Sequence, residues 1–402
     1  MIKSSYPSYK NINLKNKVVL LRVDLNSPIS QGKVELSKRI LEHIKTIKQI
    51  KQKKAKLVVL AHQGRKGGED FTNLEAHAKM IGKYTAIKYI PDIVGEKAKE
   101  AILNLKAGKA ILLENLRFLD EEKYPPKNIK DNKIVMALAP LADVYINDAF
   151  SNCHRAHTSM SEFPKVLPSY AGPVLEKELT ALAKFDKINH PAVFIFGGAK
   201  PEEPMNLINS RKDIDYILCC GLFGQNCLTS QGFDFGAQSE YLKGRGILPN
   251  NRLKQMIKKY NMKTPVDFGV KNNNKRLELK LNQFPSEYEI YDIGQDTIDA
   301  YVAIIKKAKT IFLKGTPGSF EDKNFRKGTL ALLNAIASSK AYSFVGGGHT
   351  SDAILEFKIK GFNHICLSGG AMLNYLSKKK LPGLEALKKA PKVNKLKIKV
   401  HI

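Results

Sequence analysis

The chain alternates between short apolar runs rich in β-branched residues and longer segments whose apolar residues recur with a helical period. Consecutive parallel strands need a connection long enough to hold a helix, so this alternation predicts an α/β fold with parallel sheets and crossover helices. The predicted strands are residues 18–23, 57–61, 110–115 and 144–148 in the first half, and 192–196, 216–220, 310–314, 342–345 and 364–367 in the second.

The residues that follow these strands differ between the two halves. Glycine-rich loops follow the second-half strands, at 197–200, 221–224, 315–318, 346–350 and 368–371. Polar and basic side chains follow the first-half strands instead: Asp24 and Asn26, His62 and Arg65, Arg117, and then His154 and Arg155.

The difference predicts two ligands, because open parallel sheets bind ligands beyond the carboxyl ends of their strands. Guanidinium groups pair bidentately with phosphate or carboxylate oxygens, so the first half suits a small polyanion. Glycine loops allow close approach to backbone N–H donors, so the second half suits a nucleotide. Phosphoryl transfer between the two ligands is the economical inference.

Length and composition agree with two globular domains, since 402 residues with 43% hydrophobic content can fill two cores. The boundary is expected near residues 169–185, where Gly172 and Pro173 open a helix that would connect the halves. No apolar run approaches the roughly 20 residues that cross a bilayer, and the first residues lack the apolar core of a secretory signal. We therefore expect a soluble, cytoplasmic protein without a membrane partner.

The cysteines and the net charge bound the other possibilities. The five cysteines are odd in number and lack C-x-x-C spacing, so they are expected to be reduced core residues. The formal charge of +28 suggests nucleic acid or an anionic membrane as a partner. Most of the excess is dispersed lysine with little aromatic interleaving, which is typical of solvated faces, so specific nucleic-acid recognition is not expected. The cysteines are Cys153, Cys219, Cys220, Cys227 and Cys366.

The segment at residues 147–157, NDAFSNCHRAH, allows a zinc site as well as an anion pocket. Cys153, His154 and His157 offer soft ligands, but no second cluster at zinc-like spacing lies nearby. Placed after a strand whose neighbours carry arginine and histidine, the segment is better explained as one wall of an anion pocket. Arg155 is the residue expected to bind the anion, with His154 bonding the ligand or orienting its neighbour.

Ordered motifs from residue 18 to about residue 387 resemble the phosphoglycerate kinase family in its archaeal-type form. A single glycine loop would be weak evidence, whereas this many motifs in the family's order are specific. The motifs are VVLLRVDLNSPI, AHQGR, LLENLRF, NDAFSNCHRAHTSM, GPVLEKEL, GGAK, GSFE, GGGHT and SGGAML with LPGLEAL.

The resemblance implies two doubly wound, Rossmann-like lobes joined by a hinge helix. The implied domains are residues 1–171 for the acid substrate and 172–387 for the nucleotide, with 388–402 packing back on the first domain. The implied activity is reversible phosphoryl transfer between 1,3-bisphosphoglycerate with ADP and 3-phosphoglycerate with ATP, in glycolysis and gluconeogenesis. Mg²⁺ would be carried mainly by the nucleotide phosphates, with no protein metal ligand, and the enzyme would be a monomer or homodimer whose hinge closes during catalysis.

The resemblance also assigns residues position by position. Arg39 and Lys200 are implied to be catalytic, because cationic stabilisation from both lobes suits a transferring phosphoryl group. The implied substrate ligands are Asp24, Asn26, Arg39, His62, Arg65, Arg117, His154 and Arg155. The implied nucleotide ligands are Gly198, Ala199, Lys200, Gly221, Lys314, Glu321, Gly347, Gly348 and Thr350.

Departures from the family pattern fall in the second half and keep alternatives open. Lys314 replaces a common asparagine and either binds phosphate or extends outward, and His349 replaces an aspartate that faces magnesium in many members. One alternative is a kinase for a related acyl phosphate or another nucleotide. Another is a diverged, weakly active or inactive member that acts as a basic protein on nucleic acid or an anionic surface.

Overall fold

A computed structural model describes residues 6–30 and 33–396, which divide into two units. The first contains the residues up to Thr180 together with those from Lys380 onward, and the second runs from Ala181 to Lys379. These bounds differ from the predicted 1–171, 172–387 and 388–402. The reason lies in contacts described below, at Asp148 and at Gly383, which hold both connecting segments against the first unit.

A six-stranded parallel sheet forms the centre of the first unit, in the order β5-β6-β4-β1-β7-β8. Strands β2 and β3, which follow β1 in the chain, form a separate two-stranded antiparallel ribbon. The strands are β1 Val18–Arg22, β2 Ile29–Ser30, β3 Lys33–Val34, β4 Lys56–Leu60, β5 Lys88–Ile90, β6 Ala110–Leu113, β7 Val144–Asn147 and β8 Ser169–Ala171. The helices are α1 Lys38–Gln52, α2 Glu75–Gly82, α3 Glu96–Leu103, α4 Asp120–Lys123, α5 Lys133–Leu138, α6 Thr158–Ser161, α7 Phe163–Val166 and α8 Pro173–Leu182.

The longest helix of this unit, α1, shows why the sequence folds as it does. Ser37 caps its start by accepting a hydrogen bond from the Ile40 backbone N–H. Ile40, Ile44 and Ile47 recur every three or four residues and are buried with the apolar residues of β1 and β4. This apolar stripe fixes the rotation of α1 and therefore the direction of its first turn.

The second unit is built on another six-stranded parallel sheet, in the order β11-β10-β9-β15-β16-β17, and carries an antiparallel sheet, β13-β12-β14. Rings of Phe185, Phe194, Phe312 and Phe344 pack edge to face or stacked in its core. The strands are β9 Ala192–Phe196, β10 Tyr216–Cys219, β11 Met262–Lys263, β12 Asp267–Asn272, β13 Lys275–Lys280, β14 Ile290–Ile293, β15 Thr310–Lys314, β16 Tyr342–Gly346 and β17 His364–Cys366. The helices are α9 Glu202–Ser210, α10 Gly221–Ser230, α11 Ala237–Gly244, α12 Asn251–Lys259, α13 Gln295–Lys307, α14 Lys327–Ser338, α15 Gly348–Glu356 and α16 Gly370–Leu376.

The chain then returns to the first unit through helix α17, Pro382–Lys388. The Gly383 backbone N–H donates to the Cys153 carbonyl at 3.0 Å, and the two segments pack closely there, since a Cβ at position 383 would lie 3.1 Å from the Cys153 Cα. Farther on, the Asn394 side chain donates to the carbonyls of Ala139 and Ala142. Residues 388–396 lie on the first unit, whereas the rest of the predicted tail, 397–402, lies outside the described residues.

The predicted α/β class and the nine predicted strands are confirmed, each strand within two residues of its predicted bounds. The short parallel strands β5, β8 and β11 and the antiparallel strands were not predicted. The five cysteines are buried thiols outside any disulfide, as expected. Of the helices that the structure describes, none combines the length and the apolarity that a membrane span requires.

Candidate functional site

The carboxyl edge of the first sheet brings together the polar residues that follow β1, β4, β6 and β7. Asp24 is buried just beyond β1, and its Oδ2 lies 3.2 Å from Arg39 Nη1 in the first turn of α1. The Ser151 hydroxyl donates to the same carboxylate oxygen. Burial alone would raise the pKa of Asp24, but the charge of Arg39 and the Ser151 hydrogen bond hold it well below its usual range. Asp24 is therefore an anion that positions Arg39.

Helix α1 is held in place from its other side. Asp148, fully buried beyond β7, accepts from Thr46 at 2.7 Å and lies 3.0 Å from His43 Nδ1. The second oxygen of the same carboxylate accepts from the Val174 backbone N–H at 2.7 Å, at the start of α8. Asp148 thus joins α1 to α8, which fixes Arg39 and keeps the start of α8 on the first unit.

Asn26 and Arg117 shape the loop that follows β4. Asn26 Oδ1 accepts from the Gly64 backbone N–H at 2.8 Å, and its carbonyl accepts from Arg39 Nη1 at 3.0 Å. Arg117 donates to the Gly64 carbonyl. Gly64 has a φ of +67° and a Cβ there would lie 2.3 Å from the Asp70 carbonyl oxygen, so only glycine fits this turn.

His62 is buried, and its ring contacts Arg22. Arg22 Nη2 donates to His62 Nδ1 at 2.6 Å, while Arg22 Nε donates to the Ser159 hydroxyl at 2.7 Å. Burial and then the Arg22 charge lower the pKa of His62 well below its usual value, so the ring is neutral at pH 7. Because arginine can only donate, His62 Nδ1 accepts and the ring proton resides on Nε2 as a hydrogen-bond donor.

The loop after β7 contributes the half-buried Arg155 and His154. Arg155 Nη1 lies 3.4 Å from Asn152 Oδ1. Burial and then the charge of Arg155 lower the pKa of His154 to about 4, so this ring is neutral as well. Cys153 is buried beneath them, and burial raises the pKa of its thiol to about 12. The thiol is therefore not a nucleophile at neutral pH.

The charges of this cluster do not cancel. Burial, and then the charges of Arg155 and Arg22, lower the pKa of Arg117 to about 10. Burial also lowers the pKa of Arg155; the Asp24 carboxylate opposes this, and the charge of the exposed Arg65 adds to it. Guanidinium groups this close repel one another unless an anion lies between them. The arrangement is suited to a phosphate or carboxylate ligand.

The glycine loops at the carboxyl edge of the second sheet pack backbone against backbone. Gly315 has a φ of +83°, and a Cβ there would lie 2.3 Å from the Gly197 carbonyl oxygen. The Gly198 N–H donates to the Thr316 carbonyl at 2.9 Å, and the Gly221 N–H donates to the Pro317 carbonyl at 3.1 Å. Side chains would separate these loops, so the glycines permit the contact.

A cavity of about 220 Å³ opens against these loops within the second unit. Four predicted nucleotide ligands line it: Gly198, Ala199, Gly221 and Glu321. The other predicted ligands, Lys200, Lys314, Gly347, Gly348 and Thr350, are not among its lining residues.

Three of the residues outside the cavity lining have defined contacts. Thr350 Oγ1 accepts from the Gly315 backbone N–H at 3.1 Å and so supports the loop. Lys314 is buried and pairs with Glu203 on α9, so the alternative that it extends outward is wrong. Lys200 lies 3.6 Å from the other oxygen of Glu203, with 72% of its side chain exposed.

The sequence pattern did not indicate the opposite wall of the cavity. Residues of α11 and β14 and their flanks form this wall together with Gln225 of α10. Arg245 Nη1 donates to the Tyr241 hydroxyl at 2.5 Å, and Gln238 Nε2 donates to Gln225 Oε1 at 2.7 Å. The helical spacing of positions 238, 241 and 245 was the available signal. The residues missed are Gln225, Gln238, Tyr241, Arg245, Glu289 and Tyr291.

Comparisons with known proteins agree with this geometry. A family model described as phosphoglycerate kinase matches residues 9–379. A phosphoglycerate kinase of Methanothermus fervidus is 39% identical over 394 residues, covering 93% of this chain and 95% of the relative. That of Saccharolobus solfataricus is 39% identical over 396 residues, covering 95% and 96%.

Solved structures give the same result. The crystal structure of phosphoglycerate kinase from Pyrococcus horikoshii OT3 matches with a TM-score of 0.90 at 34% identity, covering 95% of this chain and 98% of that one. The structure from Coxiella burnetii matches with a TM-score of 0.78 at 29% identity, covering 96% and 99%. The chain therefore belongs to the phosphoglycerate kinase family, the carboxyl-acceptor phosphotransferases of glycolysis and gluconeogenesis.

Proposed function

We propose that the arginine cluster of the first unit binds 3-phosphoglycerate and 1,3-bisphosphoglycerate, and that the glycine loops of the second unit bind ADP and ATP. The observation that carries this proposal is the excess of guanidinium groups over carboxylates around Asp24. Three further residues, Asn26, His62 and His154, complete the proposed substrate site, the two neutral rings offering hydrogen bonds rather than charge. The nucleotide phosphates would lie on backbone N–H groups near Gly198 and Gly221.

The chemistry needs positioning and positive charge more than proton transfer. A transferring phosphoryl group carries negative charge on its equatorial oxygens, and cations fixed in place stabilise it. We assign this role to Arg39, which Asp24 and the Asn26 carbonyl hold rigidly, and to the exposed Lys200. The accepting carboxylate has no proton at neutral pH, so no general base is required. Hinge closure would bring acceptor and nucleotide together and exclude water that hydrolyses acyl phosphates.

Magnesium is proposed to enter with the nucleotide. Mg²⁺ prefers oxygen ligands in a near-octahedral shell and keeps several waters. Within the described part of the cavity, no three acidic, histidine or cysteine side chains converge to hold an ion. Glu321 Oε1 lies 3.4 Å from the His349 ring, and both side chains are exposed. The lining thus supplies at most single carboxylates, and the ion would neutralise phosphate charge while held by phosphate and water oxygens.

Calorimetric titration of separate variants tests the assignment of ligands to units. Arg117→Ala and Arg155→Ala should each weaken 3-phosphoglycerate binding about tenfold to a hundredfold, because a charged hydrogen bond is worth about 1.5–3 kcal/mol. Neither change should alter the affinity for Mg-ADP. Arg252→Ala, on an exposed position of α12, removes the same charge and should change neither affinity.

The reverse pattern, with Mg-ADP affinity lost and 3-phosphoglycerate affinity kept, would contradict the assignment. We propose a cytoplasmic location for this chain, on the ground of its family's part in glycolysis and gluconeogenesis.

A further inference from the structure

Lysines crowd the amino-terminal edge of the first sheet, the edge opposite the arginine cluster. The segments that precede β1, β4, β5 and β6 meet at this edge because the four strands run parallel. We call their lysines the amino-edge lysines: Lys15, Lys17, Lys54, Lys56, Lys83, Lys88, Lys106 and Lys109.

One side-chain hydrogen bond and several backbone hydrogen bonds hold these segments side by side. Lys51, at the end of α1, donates from its ammonium group to the Thr85 hydroxyl at 2.8 Å and so fastens the loop before β5. The links between the other segments run from Asn16 N to the Lys54 carbonyl at 3.0 Å, from Lys56 N to the Lys17 carbonyl at 2.9 Å, and from Leu57 N to the Lys109 carbonyl at 3.0 Å.

The fold places one carboxylate at this edge, that of Asp143 before β7, which accepts from the Val18 backbone N–H at 2.8 Å, so the eight lysines remain in excess. Residues 14–17, 51–56, 82–88 and 104–109 contain no acidic residue. Across residues 6–30 and 33–396, no amino-edge lysine forms an ion pair. Lysines elsewhere on the same unit do pair with glutamate, namely Lys45, Lys79, Lys99, Lys133 and Lys165. Like charges held together without counterions disfavour folding, so a binding role explains them better than a structural one.

The proposed reaction makes no use of this edge. Its small anions bind beyond the carboxyl ends of the strands, beside Asp24 and Arg39. The amino-edge lysines lie at the other ends of β1 and β4, each of which has five residues. A ligand at this edge is therefore separate from the substrate.

The surface near the lysines also offers aromatic and apolar groups. The ring of Tyr84 follows Lys83 and is 40% exposed. A cavity of about 510 Å³ opens beside it, with Ile87 and Leu105 among its apolar lining residues. Lys88, Lys106 and Lys109 also line this cavity. Exposed aromatic rings and apolar recesses among cations suit unstacked bases along a phosphate backbone.

We propose that the amino-edge lysines bind single-stranded nucleic acid without sequence preference, as a function separate from phosphoryl transfer. The phosphates would contact the lysines, and bases would lie against Tyr84 and the adjacent cavity. An anionic membrane is the less suitable polyanion, because the edge consists of loop segments at strand ends. Membrane surfaces typically bind an amphipathic helix with a broad apolar face.

The test measures fluorescence anisotropy of a labelled oligouridylate with the full chain over a range of salt concentrations. The edge variant carries Lys15→Gln, Lys17→Gln, Lys83→Gln, Lys106→Gln and Lys109→Gln. If three of these lysines contact phosphate, the slope of log K against log salt should fall by roughly 2, and affinity near 0.1 M salt should fall about a hundredfold. Its phosphoryl-transfer rate should equal that of the wild type.

A matched control removes the same number of charges from the same unit, at the paired positions 45, 79, 99, 133 and 165, each changed from lysine to glutamine. It should retain oligouridylate affinity within about threefold. Equal losses of oligouridylate affinity in both variants would overturn the proposal, because they would show that the nucleic acid responds to the net charge of the protein and not to this edge.

Displacement of the oligouridylate by 3-phosphoglycerate would also overturn the proposal, because it would show that the oligouridylate binds at the arginine cluster. Binding to phosphatidylserine vesicles but not to oligouridylate would overturn it in favour of a membrane.

Discussion

The two candidate sites are built from different parts of the polypeptide. Around Asp24 and Arg39 the first unit presents side chains, whose charges are set by burial and by each other. Around Gly198 and Gly315 the second unit presents backbone, and the absence of side chains is what allows three loops to touch. Truncation of a charged side chain should therefore disable the first site, whereas a side chain added to a glycine should disable the second.

The strongest test of the side-chain site is Arg39→Ala. Loss of the fixed cation that we propose for stabilising the transferring group should lower kcat about a hundredfold or more. Steady-state rates in both directions, with coupled detection, measure this. Arg39→Lys should recover part of the rate, because it restores charge without the planar fork. An Arg39→Ala rate within a few-fold of the wild type would refute the assigned role.

The matching test of the backbone site adds one carbon, in Gly315→Ala. Its φ of +83° and the 2.3 Å approach to the Gly197 carbonyl oxygen make the methyl group unfavourable. The backbone strain costs about 1–3 kcal/mol, so Mg-ADP affinity should fall about thirtyfold and the melting temperature should drop. Calorimetric titration and thermal unfolding record both. Gly244→Ala, where a Cβ meets nothing within 4 Å, should alter neither; equal effects in both variants would show that the glycine packing is unimportant.

Two lysines of the second unit sharpen the comparison further, because they share Glu203. Lys200→Ala, at an exposed position, should lower kcat about tenfold and leave the melting temperature unchanged, since solvent screens its charge. Lys314→Met removes the buried partner of Glu203 and should lower the free energy of unfolding by about 1–3 kcal/mol. Turnover and thermal unfolding of both variants separate these roles. Lower stability in Lys200→Ala together with lower kcat in Lys314→Met would contradict the roles proposed for the two lysines.

Acid should destabilise the first unit more than the second. Burial lowers the pKa of His77 and His154 to about 4 and that of His157 to about 3 in the first unit. The unfolded chain binds these protons first, so this stability is present above pH 6.5 and is lost as the pH falls toward 4. In the second unit, burial raises the pKa of Asp292 to about 6, which favours folding as the pH falls below 6.

Hydrogen exchange resolved by peptide at pH 7 and pH 5, corrected for intrinsic rates, measures this difference. The first unit should lose a few-fold more protection than the second. His77→Gln should reduce that loss, while His190→Gln, at an exposed position of the second unit, should not. Equal loss in both units would contradict the expected dependence.

The fold was largely predictable because buried parallel strands are continuous apolar runs, and glycine loops mark the points where helices begin. Strands such as β9 and β15 coincide with their predicted bounds. The short strands β5 and β8 were missed because three residues carry too little pattern. The antiparallel sheet was missed because β13 is mostly exposed and polar, so its residues resemble a loop.

The site was less predictable wherever a contact depends on distant segments. Asp24, Arg117 and Arg155 could be grouped because parallel strands end at one edge of a sheet, whereas Arg39, on a helix, was assigned only through the family resemblance. The ion pair of Lys314 could not be predicted, because its partner Glu203 lies on a helix whose position no local pattern gives. Tyr241 and its neighbours have polar side chains on a helix, which sequence alone assigns to solvent.

The return of the chain through α17 has a consequence for synthesis. Residues 181–379 form the second unit as one continuous stretch, whereas the first unit needs residues on both sides of that stretch. Domains generally fold as units while the chain emerges from the ribosome. The second unit can therefore be complete while the first still lacks α17 and its hydrogen bond from Gly383 to Cys153. The wall that holds Arg155 is finished only after residues 380–396 have been made, so the second unit of the new chain can be complete before the arginine cluster of the first.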